Sequence, residues 1–446
     1  MIKNDNAFFP LNIIVMNEVQ SENLIEYKGY WFLPSNPDKK IAGVLTFYPN
    51  EKIELELFGC LTETINVLCD CQQSESVIWG KTSDAKKITL LNAFMQGQRN
   101  LDSDFPLLRC TCRYMIIGKH INGLDEMCHY WAKVEIPLLS YWCHPSVISL
   151  NTDCSTMNIS FHIDKDEADV IQTVEVYNKT SILLVQNVSY IISDCSISID
   201  QSTHLEIIKQ EASSINELLK DISLYEQFLS LAILEKVKCS SIVLYDEDCY
   251  QLVGESKHYS PIYIIGVNRW LQPLTTKRTL DCDFLFDYTT IEHIYPFLLL
   301  KWYSFSKQLF PIQTHLINSL ETKKVFSSAD FLAVFQALDS FESRFRNYNV
   351  HKLKDKIEAI VAEFYDIELI RRLDIDAKAA ADSRNYYSHF YSSDNNQKVI
   401  LRGIELYNLT LKLRVLLICC VLSLIGFNNT QINELIKKSS SSVFLI

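Results

Sequence analysis

The segment Arg384-Asn385-Tyr386-Tyr387-Ser388-His389 sets an arginine beside an amide, with a histidine five residues after the arginine. A guanidinium is permanently charged, and its planar fork matches the oxygens of a phosphate. Imidazole titrates near neutral pH, so it can take a proton in one step and return it in another. With an amide that can position a hydroxyl, these groups suit acid–base chemistry at a phosphodiester without a bound metal. Spacing alone does not single out this pair, because Arg113/His120, Arg344/His351 and Arg346/His351 have comparable gaps. Context separates them. Arg113 and His120 enclose Ile116, Ile117 and Gly118 in a strand-rich stretch, and Arg346-Asn347-Tyr348-Asn349-Val350-His351 lies in a polar junction. Arg384 and His389 instead stand just before the longest apolar helix of the chain, where a packed bundle can hold polar groups rigidly at one edge.

Other constellations are weaker. Cys69-Asp70-Cys71 and Cys110-Thr111-Cys112 are C-x-C pairs, with Cys128-His129 and Cys143-His144 beyond them. Structural zinc ligands are usually about two to four residues apart on a turn, whereas a one-residue gap in a strand puts both thiols on one face. Buried thiols serving as small hydrophobes are expected, with no metal and no cofactor. No P-loop, dinucleotide fingerprint, H-E-x-x-H or G-x-S-x-G motif is present, which removes ordinary NTPases, Rossmann dehydrogenases, zincins and α/β-hydrolases.

The elements that must position the Arg/His pair are helical. Apolar residues at 331, 332, 334, 335, 338, 341 and 345 predict a helix over 331–345, started by Ser328-Ala329-Asp330. Further helices are expected over 352–364, 377–390 and 399–425, the last stopped by Gly426 and Asn428-Asn429. Helices with short connections imply a bundle. Upstream, Lys52-Ile53-Glu54-Leu55-Glu56-Leu57 alternates with period two, and Pro49-Asn50-Glu51 before it is a plausible hairpin turn. Residues 27–142 thus predict a β-sandwich or barrel. Strands continue at 157–163, 170–177 and 181–192, the period turns helical over 205–237, and strands return at 241–245 and 262–267. The expected architecture is multidomain α+β: a strand-rich domain over 1–148, an α+β middle domain over 149–318, and an all-α bundle over 319–446.

The chain of 446 residues has a net charge of −12, with 48% apolar residues, which builds a packed core and excludes general disorder. The charge is uneven. Residues 326–446 hold 15 Lys and Arg against 14 Asp and Glu, while the preceding 325 hold 27 against 40. Bulk attraction to nucleic acid is excluded, so any such chemistry must be local, in the near-neutral last quarter. Residues 1–20 carry Asp5 and Glu18 and lack a basic segment followed by a long apolar run. With 14 cysteines in a long chain, reduced thiols in the cytoplasm are expected. The longest apolar stretch, 415–425, is about half of the twenty or so residues a bilayer requires, so a buried helix and no membrane association are expected.

The segment Arg384-Asn385-x-x-x-His389-Phe390, the apolar helix with Leu401, Leu406, Leu409, Leu413, Leu416 and Leu417, and the closing Leu424-Ile425-Gly426 resemble the HEPN ribonuclease superfamily. More closely, they resemble the ApeA-type HEPN proteins of bacterial anti-phage defence. Gly29-Tyr30-Trp31-Phe32-Leu33-Pro34, Gly43-Val44-Leu45-Thr46-Phe47, Leu55-Glu56-Leu57-Phe58-Gly59 and the stretch from Gly80 to Ile88-Thr89-Leu90-Leu91 resemble that family's N-terminal domain. Phe297-Leu298, Trp302-Tyr303 and Gln336-Ala337-Leu338-Asp339-Ser340-Phe341-Glu342 resemble what leads into its HEPN domain, with Asp339 standing where glutamate is expected.

The resemblance implies a metal-independent endoribonuclease of abortive infection in which Arg384, Asn385 and His389 are catalytic. The ribose 2′-hydroxyl would attack the phosphate, leaving a 2′,3′-cyclic phosphate and a 5′-hydroxyl. It also implies a homodimer or higher homo-oligomer formed through the helical domain with a shared cleft, an RNA substrate (transfer RNA anticodon loops or messenger RNA) and a phage-derived trigger. On an ideal helix Asn385 and His389 share a face, whereas Arg384 and His389 diverge by about 140°. Either the helix begins within the motif or two chains build one site. Tyr386 and Tyr387 fit bundle core or stacking on an unpaired base. Glu342 fits a residue orienting His389 or Arg384, or a surface carboxylate. Ser388 and Lys378, with Arg371 and Arg372, are further RNA-contact candidates, against a solvated face. The alternative function is a non-catalytic dimerisation or binding protein.

Overall fold

The computed structural model describes residues 24–49, 51–61, 74–99, 107–144, 148–153, 158–163, 170–177, 179–193, 196–267, 284–321, 328–389, 398–439 and 441–444. Residues 1–20, Cys69, Cys71 and Phe390 lie outside them.

Six strands come first: β1 (Ile25–Leu33), β2 (Asn36–Tyr48), β3 (Lys52–Phe58), β4 (Ser74–Thr82), β5 (Lys87–Arg99) and β6 (Leu107–Ile117). They close into an antiparallel barrel, because β6 pairs with β3 along one edge and with β5 along the other. The expected hairpin joins β2 to β3, with Tyr48 opposite Lys52. Ile53, Leu55 and Leu57 are fully buried inside the barrel, as the period-two pattern requires. Trp31 fills the middle. A Cβ at Gly80 would stand 2.3 Å from its ring, so only glycine fits there. Cys110 and Cys112 share the inner face and are buried. The Cys112 thiol is pushed well up by its hydrogen bond with Cys110 and by burial.

The second half of β6 carries the sheet onward. There, beyond the end of β3, Ile117 and Tyr114 pair with Tyr263 and Gly266. Twelve strands form one sheet in all. The added strands are β8 (Tyr130–Glu135), β11 (Val170–Glu175), β12 (Thr180–Ser193), β13 (Ser196–Lys209), β15 (Ser241–Val253) and β16 (Ser256–Gly266), with β8 lying between β13 and β15. The short strands β7 (Met127–Cys128) and β14 (Ser213–Ser214) pair with each other, as do β9 (Ile148–Asp153) and β10 (Asn158–Ile163). After a short α1 (Leu139–Cys143), the first long helix is α2 (Ile215–Ile233), opened by a capping box of Ser214 and Glu217.

The expected helix start at 205 is thus corrected. Leu205 and Ile207 point into the core from β13, which is paired on both sides by β12 and β8, so cross-strand pairing overrides the helical spacing.

From residue 288 onward the described chain is helical: α3 (Tyr288–Ile291), α4 (Tyr295–Ser304), α5 (Ser306–Glu321), α6 (Ser328–Phe341), α7 (Leu353–Glu363), α8 (Glu368–Leu373), α9 (Ala377–His389), α10 (Gly403–Ile425) and α11 (Asn429–Lys438). Helix α4 is stitched to α2: Trp302 Nε1 donates to the Leu224 carbonyl at 2.8 Å, and Tyr303 OH to the Asp221 carbonyl at 2.8 Å. Asp221 itself is buried, receives Tyr177 OH at 2.6 Å and pairs with Lys209. One continuous apolar core runs from Val134 and Leu205 in the sheet through Phe228 and Trp302 to Phe331, Phe341 and Leu416 in the bundle.

Helix α10 begins four residues later than its periodicity suggests. Arg402 is extended and Gly403 has a φ of +56°, which breaks any helix running on from 399, while the amides of Val399 and Leu401 donate to Asp382 Oδ2 and Ser383 Oγ, each at 3.0 Å. By length and composition α10 could cross a membrane, but 72% of its most apolar window is buried within the fold. Arg414, midway along it, pairs with Asp330 at 3.1 Å.

Candidate active site

The motif lies on α9. Asp376 caps this helix by accepting the Ala379 amide at 2.9 Å, and Ala377, Ala380, Ala381 and Ser383 form its buried side against α6 and α7. Alanine there permits close helix contact at little entropic cost. The helix begins well before Arg384 and runs unbroken through His389, so a start within the motif is excluded. Arg384 and His389 of one chain therefore point in diverging directions.

Arg384 is half-buried. Its Nη1 donates to Asn385 Oδ1 at 3.2 Å, and it makes no ion pair among the described residues. Ser388 and His389 are exposed at the end of the helix. Tyr386 and Tyr387 meet edge-on with centroids 5.0 Å apart. Tyr387 also packs against Phe331 at 6.3 Å and donates its hydroxyl to the Leu401 carbonyl at 3.0 Å, and burial pushes its pKa up. Lys378 is exposed and pairs with Asp382 at 3.1 Å, and Arg371 and Arg372 are exposed on α8.

The rival Arg346/His351 pair is committed elsewhere. Helix α6 ends in a π-turn, Glu342–Arg346, that closes on Asn347 in the left-handed region. Arg346 Nε stands 3.0 and 3.1 Å from the two Glu363 oxygens, its Nη2 2.8 Å from Glu363 Oε1 and 3.0 Å from Ser423 Oγ, and its guanidinium covers Phe341. Tyr348 adds a short hydrogen bond to the same carboxylate. Burial opposes the Arg346 charge, but Glu363 more than offsets this and raises its pKa. His351 is exposed. Arg113 lies over Tyr114, and His120 stacks on Trp79 in the barrel region, away from the bundle.

Glu342 is not a surface carboxylate, since it is 2% exposed. It accepts the Tyr348 amide at 3.0 Å and pairs with Lys356 at 3.0 Å, and none of its hydrogen bonds goes to Arg384 or His389. Lys356 also pairs with Asp339 at 2.7 Å, so the aspartate at this position is part of a structural ion cluster. Among the described residues no group of three or more His, Cys, Asp and Glu is placed to hold a metal.

One neighbour of the motif escapes sequence reasoning. The guanidinium of Arg402 lies 5.5 Å from the Tyr386 ring centroid, brought there by the hydrogen bonds of Leu401 to Ser383 and Tyr387. No spacing rule points to it. Only the return of the chain along α9 makes it adjacent.

An Arg-Asn-x-x-x-His helix packed in an all-helical bundle, behind a strand-rich region with a closed six-stranded barrel, is the arrangement of a HEPN protein. The chain belongs to the ApeA family: the model of ApeA N-terminal domain 1 matches residues 26–302, more than half of its length, and that of the Apea-like HEPN domain matches residues 321–431. No curated protein and no solved structure matches it.

Proposed function

We propose that this protein is a metal-independent endoribonuclease of anti-phage defence, with its active centre on α9. The observation that carries this reading is the contrast between arginines in one bundle. Arg346 and Arg414 are held in ion pairs, whereas Arg384, beside an amide and on the same helix as an exposed histidine, has no carboxylate partner among the described residues. A structural arginine needs a counter-charge when it is half-buried, while a phosphate-binding one is completed by its substrate.

Since Arg384 and His389 diverge on one helix, two copies of the chain supply one cleft. Arginine neutralises the scissile phosphate, one imidazole takes the 2′-hydroxyl proton, and the other gives a proton to the leaving 5′-oxygen. Asn385 positions the reacting oxygens. The substrate is single-stranded RNA, with transfer RNA anticodon loops foremost, in the cytoplasm. The acidic strand-rich region damps the nuclease to a basal activity, which a phage-derived trigger raises. End-group analysis of RNA incubated with the full-length protein tests this: 2′,3′-cyclic phosphate and 5′-hydroxyl ends are expected from the wild type and none from His389→Ala. The same ends in equal yield from that variant would refute the site.

A further inference from the structure

We infer that Arg402 is a second phosphate-binding arginine, engaging the RNA backbone next to the phosphate held by Arg384; this rests on the reading of α9 as an RNA-cleaving site. Four features of the fold carry it. The residue is exposed, and among the described residues its guanidinium has no carboxylate partner. It is held over Tyr386, two residues from Arg384, at 5.5 Å from the ring centroid. Its backbone position is fixed from both sides of Leu401, whose amide donates to Ser383 Oγ and whose carbonyl receives Tyr387 OH, each at 3.0 Å. Ser383 is fully buried, so this anchor is part of the bundle and not of a swinging loop.

An arginine with no carboxylate partner among the described residues, tied to the motif helix and set over an aromatic ring, matches what a single strand offers. The phosphate takes the fork, and the planar guanidinium over Tyr386 makes a platform on which a base can stack. In sequence Arg402 is separated from the motif by the segment after His389, so its proximity is a product of the fold alone.

The test uses the full-length protein and a fully 2′-O-methylated single-stranded RNA, which keeps its phosphates and bases but offers no nucleophile. Binding is measured over a salt series, beside the cleavage kinetics of an unmodified RNA of the same sequence. Losing one phosphate contact should flatten the slope of log affinity against log salt by about 0.7 for each site, so Arg402→Gln should show that change and a KM raised about tenfold, with kcat within about twofold. Arg402→Lys should keep the slope, because charge is retained, but bind less tightly than wild type, because the plane is lost. A wild-type slope and KM in Arg402→Gln overturn the inference. So does a fall in kcat at unchanged KM, which would mark a role other than binding. Absence of cleavage by the wild type is a separate result that sinks the nuclease reading instead.

Discussion

Tyr387 donates its hydroxyl to the carbonyl of Leu401 at 3.0 Å, and through that bond the motif helix grips the segment that enters the core helix of the bundle. The ring is half-buried against Phe331, which leaves its hydroxyl a structural task. Tyr387→Phe should therefore lower stability by about 0.5–1.5 kcal/mol, the net worth of one hydrogen bond, and leave KM for RNA unchanged. Chemical denaturation and cleavage kinetics on the same preparation check both parts. A higher KM at wild-type stability would instead identify a hydroxyl that hydrogen-bonds the RNA.

Arg346 and Arg384 should separate cleanly. Arg346→Ala removes a bidentate partner of Glu363 in a partly buried site and should cost about 1–3 kcal/mol, between the values of surface and fully buried pairs. Arg384→Ala should leave the unfolding midpoint near wild type and abolish RNA cleavage. The reverse pattern, with Arg384 stabilising and Arg346 needed for chemistry, would move the site to the Arg346/His351 pair.

Gly426 ends α10 at a φ of +125°, and a Cβ there would approach Phe297 Cε1 to 2.5 Å. Phe297 belongs to α4, which is bonded to α2, so this contact joins the bundle to the strand-rich part. Gly426→Ala should destabilise the chain by on the order of 1–2 kcal/mol, from backbone strain and displacement of the ring. A midpoint at or above wild type in thermal unfolding would contradict this packing.

The buried thiols should be silent. Burial pushes Cys143, Cys419 and Cys420 up from the ordinary thiol range, and Cys128 up to about 11. Since the thiolate is the reactive form, native protein at pH 8 should leave Cys110, Cys112, Cys143, Cys419 and Cys420 unalkylated, and denaturant should expose them. Mass spectrometry after iodoacetamide reads this residue by residue. Prompt native labelling of Cys110 or Cys112 would mean that the barrel interior opens.

Much of this was legible where interactions are local. The alternation around Ile53, Leu55 and Leu57, the helical spacing of Phe331, Val334, Phe335 and Leu338, and the Arg-Asn-x-x-x-His string each announce themselves within a turn or two of chain. What depended on distant partners was not. Leu205 and Ile208 fit a helix by spacing, and only pairing with β12 and β8 makes them strand. The helix expected from 399 starts at Gly403 because Arg402 is extended and Gly403 takes a positive φ. Helices α8 and α11 lie outside the helices that the periodicity predicts. Arg384 and Arg346 are equivalent by spacing to a histidine, and they part company only when Glu363 is found beside one of them. Arg402 became a neighbour of the motif only through the fold.

The proposed cleavage needs two copies of one histidine and one arginine and no metal. Incubation of purified full-length protein with transfer RNA in EDTA, alongside His389→Ala, tests it most directly. Cleavage by the wild type should persist in EDTA and disappear in the variant. Cleavage that EDTA abolishes, or that His389→Ala retains in full, would contradict it.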